Sequence, residues 1–63
     1  MNYVRDFHRG DRVETHPATD RWMMGDRYGT VVHTGRKSVS VKLDRSGHTR
    51  HFRPNDLIHR GRR

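Results

Sequence analysis

Ser38-Val39-Ser40-Val41-Lys42-Leu43-Asp44 alternates apolar and polar residues without a break. On an extended backbone Val39, Val41 and Leu43 share one face, and Ser38, Ser40, Lys42 and Asp44 share the other. A period of two predicts a strand with one face in a core and one in water. Turn signals bracket it. Thr34-Gly35-Arg36-Lys37 leads in, and Asp44-Arg45-Ser46-Gly47 leads out, with Gly47 able to take positive φ.

Working outward, Tyr28-Gly29-Thr30-Val31-Val32-His33-Thr34 is β-branched and aromatic, a second strand paired through the first turn. Residues 48 to 53 form another, with Phe52 as its core residue. Residues 11 to 16 alternate about Val13 until Pro17 stops them. Pro54-Asn55-Asp56-Leu57 predicts one helical turn, since proline pre-sets φ there, and Leu57-Ile58-His59 a last strand. Residues 17 to 27 make a long polar connection around Trp22-Met23-Met24, and loops of that length commonly carry function. Residues 1 to 9 read as a tail that docks through Phe7, with Tyr3, Val4 and Phe7 at helix-like spacing. Residues 60 to 63 read as a disordered basic tail. The expectation is one all-β domain over residues 10 to 59, with five short strands, a long first loop and a helical turn before the last strand.

The chain has 63 residues, 29% of them hydrophobic, and no cysteine. Disulfides and thiolate zinc ligands are therefore excluded, and a small core must stabilise the fold alone or with a partner. No apolar run approaches a membrane span, and residues 1 to 10 lack the apolar centre of a secretory signal, so a cytoplasmic protein is expected. Charge is divided unevenly. Residues 1 to 31 hold five arginines and five acids; residues 32 to 63 hold nine Lys/Arg against Asp44 and Asp56, the whole net charge of +7. Such asymmetry predicts a surface for a polyanion. Twelve of the fourteen basic residues are arginine, which grips phosphate bidentately and stacks on bases; arginine-rich codon usage would give the same bias.

Gly25-Asp26-Arg27-Tyr28-Gly29-Thr30-Val31 followed by Val39-Ser40-Val41 resembles the KOW type of SH3-like barrel, where spaced glycines precede a valine and a later Val-x-Val. Gly10-Asp11-Arg12-Val13, the aromatic in the long loop and the Pro54 to Ile58 ending also resemble photosystem I subunit IV and type II dihydrofolate reductase barrels. The resemblance covers residues 10 to 59 and implies a five-stranded SH3-like barrel. It reports turns and core, which many functions share. The reductases act through a Val-Gln-Ile-Tyr stretch before the closing proline; Thr49-Arg50-His51-Phe52 stands there in this chain, so that activity does not carry over.

The leading expectation is a nucleic-acid-binding protein of low sequence specificity, taking DNA or RNA by its phosphates through Arg36, Lys37, Lys42, Arg45, Arg50 and Arg53. Gathering of these cations on one sheet and its edges is part of that expectation; a solvated face that keeps a small protein in solution is the plainer account. Trp22 is either a lid on the core or a ring on which a base stacks. With Met23 and Met24 it equally suits a protein partner, so the alternative is an interaction module, such as a phage encodes, docking on a larger host machine. The six histidines show no metal-ligand spacing, and His48 and His51 fall on opposite faces of a strand. No nucleophile motif or phosphate-cradling glycine loop is present. The chain is thus expected to be neither enzyme nor metalloprotein and to need no cofactor. Oligomeric state is left open.

Overall fold

The computed structural model describes residues 3 to 61. Five antiparallel strands form a single sheet: β1 (Arg12–Thr15), β2 (Tyr28–Thr34), β3 (Val39–Leu43), β4 (Thr49–Phe52) and β5 (Leu57–Gly61). Their order is β4-β3-β2-β1-β5. β4 and β5 are therefore edges, and the sheet is not closed by hydrogen bonding, an arrangement compatible with a small barrel-like fold. The all-β expectation holds, with the long first connection and the 3-10 turn Pro54–Asp56 before β5.

Val39, Val41 and Leu43 are buried together with Phe7, Val13, Val31, Phe52 and Leu57. Gly29 explains how β2 and β3 come so close. A Cβ there would stand 2.5 Å from Val41 Cγ1 and 2.6 Å from the Lys42 carbonyl oxygen. Two register shifts bend the sheet, between Val31 and His33 on β2 and between Arg12 and Val13 on β1. An extra residue in one strand of a pair increases the local twist, which helps eight core residues surround one another.

Several parts differ from expectation. Ser40 is buried, not wet: β3 lies inside the sheet, where Ser40 is flanked in register by His33 and His51, and its Oγ shares a 2.8 Å hydrogen bond with His51 Nδ1. The long connection contains a short helix, α1 (Asp20–Met23), capped by Thr19 Oγ1, which accepts from the Trp22 N–H. Four residues with none buried leave no periodicity to read. Arg60 and Gly61 belong to β5 instead of a disordered tail; Arg62 and Arg63 lie outside the described residues.

The N-terminal segment does dock through Phe7, which is 2% exposed, and Val4 packs on the same core. A 3-10 turn, Val4–Asp6, precedes Phe7, and the Gly10 N–H donates to the Val31 carbonyl. Asp11 fastens this segment to β5. Its buried carboxylate accepts from the His8 N–H at 2.9 Å and pairs with His59 Nε2 at 2.8 Å. Burial pushes the Asp11 carboxyl up, but the hydrogen bonds from His59 and the His8 N–H, with the charges of both rings, hold it below its ordinary range. Among the described residues no helix is long and apolar enough to cross a membrane.

Candidate nucleic-acid interface

The sheet register sorts the predicted cations into separate places. Arg36 and Lys37 stand exposed in the turn between β2 and β3. Arg53 follows Phe52, which pairs with Val39 at the start of β3, so it lies at the same end of the sheet. Arg45 occupies the turn after β3, on the order of 15 Å away at about 3.3 Å per residue. There its guanidinium lies over Gly25, so close that a Cβ on that glycine would collide with it.

Lys42 is exposed on the face away from the core, in register with Thr30 on one side and Thr49 on the other. Arg50 pairs with buried Val41, which puts it on the opposite face from Lys42, at the open edge. It reaches the His48 ring at 3.4 Å. A single basic patch is thus replaced by an end group of Arg36, Lys37 and Arg53, with Lys42, Arg45 and Arg50 directed elsewhere.

Acids neutralise none of these six within 4 Å among the described residues. Asp44 is taken by Arg12, whose guanidinium forks onto both carboxylate oxygens and also donates to Thr30 Oγ1 at 2.7 Å. The Arg12 hydrogen bond, opposed by partial burial and assisted by the guanidinium charge, holds the Asp44 carboxyl below its ordinary range. Asp26 faces Arg21, Glu14 faces Arg60, and Asp11 faces His59 and His8. Asp11, Glu14 and Asp26 are thus engaged with other partners, leaving the six predicted cations open among the described residues.

An open cleft of about 420 Å³ lies at the Arg36 end, lined by Tyr3, Val4, Arg5, Arg36, Lys37 and Pro54. Phe7 and Val4 bring the N-terminal segment here, and a hydrogen bond from the Tyr3 N–H to Asp6 Oδ2, 2.8 Å, holds its first turn. The Arg5 guanidinium sits 4.9 Å from the centre of the Tyr3 ring, half of which is exposed. Tyr3, Arg5 and Pro54 are site residues that sequence reasoning missed. Docking of Phe7 was the available signal that this segment returns to the fold.

Trp22 is half-buried on α1, and the Arg27 guanidinium covers its ring at 3.9 Å. That stack occupies one face of the indole. The Thr15 N–H and Oγ1 bind the carbonyls of Arg27 and Asp26, tying the loop to β1, and Gly25 meets Arg45. These contacts put Trp22 near the end of β3 remote from the cleft. Among the described residues no three His, Asp or Glu side chains are grouped to hold a metal ion.

These features define a small all-β domain with three of the six predicted cations, Arg36, Lys37 and Arg53, at one end of the sheet. Compared with protein-family models, curated proteins and solved structures, the chain matches none.

Proposed function

We propose that this protein binds nucleic acid through its phosphates with little sequence discrimination, and that it does so in the cytoplasm on an SH3-like barrel of KOW type. The observation that carries the reading is that, among the described residues, Arg36, Lys37, Lys42, Arg45, Arg50 and Arg53 have no acidic partner within 4 Å. Three of them share the end of the sheet where Arg5 also lies. Arginine and lysine displace counterions from phosphates, and that release drives binding irrespective of base sequence. Among the described residues the single α-helix has four residues, too short to serve as a recognition helix in a duplex groove. The strand order, with a 3-10 turn before the last strand, supports the barrel reading.

The test is binding of a labelled duplex and a labelled single strand, followed by fluorescence anisotropy across a salt series. Affinity is expected to fall linearly on logarithmic axes. A duplex slope near −3 corresponds to about three or four phosphate contacts at −0.9 each. Absence of salt-sensitive binding at low ionic strength ends the proposal.

One observation favours a second reading, a protein-docking surface on the α1 loop. Met23 and Met24 are 76% and 64% exposed there, and Trp22 Nε1 and Asp26 Oδ1 are buried without hydrogen-bond partners among the described residues. Unsatisfied polar atoms make that loop inexpensive to rearrange against a partner. The double substitution Met23→Ser with Met24→Ser would abolish such docking and leave nucleic-acid binding intact.

A further inference from the structure

We propose that the cleft between the N-terminal turn and the β2–β3 turn is a single-nucleotide subsite, which makes the protein a binder of single-stranded nucleic acid rather than duplex. This rests on the nucleic-acid reading above and adds which form of nucleic acid is taken, and by which residues. The cleft combines two chemistries that a duplex cannot use together. Arg5, Arg36 and Lys37 supply three cations, and Tyr3, Val4 and Pro54 supply an aromatic and aliphatic wall. At about 420 Å³ it falls in the size range of small-ligand sites, roughly 300–1,000 Å³.

In a duplex the base faces are stacked on one another and closed to a protein ring. An unpaired base has a free face, which stacks on aromatic rings and guanidinium planes. Tyr3 and Arg5 already form a ring-on-guanidinium pair at 4.9 Å, with 48% of Tyr3 exposed. A base resting against Tyr3 and Pro54 puts its phosphate toward Arg36 and Lys37, on a turn exposed to solvent. Trp22 lies outside the cleft and is half-buried under Arg27, whereas Tyr3 lines the cleft and is 48% exposed. Tyr3 is the stacking ring.

The ligand chemistry is an unpaired base joined to a phosphate, which single-stranded DNA and RNA both offer. Fluorescence anisotropy would therefore use labelled oligodeoxyuridylate, labelled oligouridylate and a labelled duplex of equal length, each about ten nucleotides long. Equal affinity for the two single strands means that the cleft ignores the 2′-hydroxyl; a preference for one identifies the source. Both single strands are expected to bind more tightly than the duplex. Tyr3→Ala is expected to weaken single-strand binding about 5- to 150-fold, the range one base–aromatic contact carries, and to leave duplex binding unchanged. Tyr3→Phe keeps the ring and is expected to restore binding. Lys37→Glu, on an exposed turn where folding is not at risk, is expected to weaken every ligand and to flatten the salt dependence.

Salt-dependent binding of all three ligands with equal affinity, untouched by Tyr3→Ala, overturns the subsite and leaves the phosphate reading standing. No binding of any of them overturns both.

Discussion

Replacing Gly29 by alanine tests the packing that positions everything else. The added Cβ would lie 2.5 Å from Val41 Cγ1 and 2.6 Å from the Lys42 carbonyl oxygen, where ordinary contacts are about an ångström longer. Rotation of Val41 relieves the first contact only by disturbing a fully buried side chain, and the second is backbone, so β2 and β3 must separate. Overpacking of this kind costs about 3 kcal/mol at the upper end of its usual range. Alanine recovers about 0.4–1 kcal/mol by restricting the unfolded chain, leaving a net loss of about 2–2.5 kcal/mol. For 63 residues the total stability is on the order of 3–9 kcal/mol, so the variant folds with a much reduced margin. Urea unfolding should show a lower midpoint at unchanged slope, and the melting temperature should drop by about 8–20 °C. Gly35→Ala is the control: its Cβ meets only Ser38, at 3.4 Å and beyond, and should leave stability within about 0.5 kcal/mol. Equal melting temperatures for the two variants would refute the close-approach argument.

Phe7→Ala removes a core side chain and the anchor of the N-terminal turn; a loss of about 3 kcal/mol or more in urea unfolding is expected, accompanied by loss of any preference for single strands. Asp11 and Asp44 are both held below their ordinary carboxyl range, so the unfolded chain takes up protons first as acid is added. Their stabilisation should be complete above about pH 4 and be lost as pH falls through the lowered folded values, which urea midpoints measured from pH 7 to pH 2 will show. Asp11→Asn should cost about 1–3 kcal/mol at neutral pH and flatten that acid limb; an unchanged limb would show that Asp11 does not fasten the N-terminal segment to β5. Gly47→Ala, at φ +75° with open space around it, should cost about 1 kcal/mol from backbone conformation alone, read by thermal unfolding.

The sheet was largely legible in the sequence because alternation, β-branching and turn residues are local signals. Val39, Val41, Leu43 and Phe52 are core residues, and the turn at Pro54 is present where proline marks it. Ser40 escaped because its burial comes from neighbours on two other strands, which no window along β3 contains. The site was less legible. Lys/Arg content announces a partner class, whereas the face each cation occupies depends on register: Arg50 opposite Val41, Lys42 opposite Thr49. Asp44 looked like the acid among the basic residues, yet Arg12, thirty-two positions earlier, claims it. Tyr3 and Arg5 reach Arg36, Lys37 and Pro54 only through the docking of Phe7, a contact between segments with no shared local pattern.

The measurement closest to the central claim is a map of backbone amide NMR shifts during titration with a single-stranded oligonucleotide at low salt. Binding at the cationic end predicts the largest changes at Tyr3, Arg5, Arg36, Lys37 and Arg53, reversed by added salt, with Met23 and Met24 unmoved. Changes centred on Met23 and Met24, or none at any residue, would contradict it.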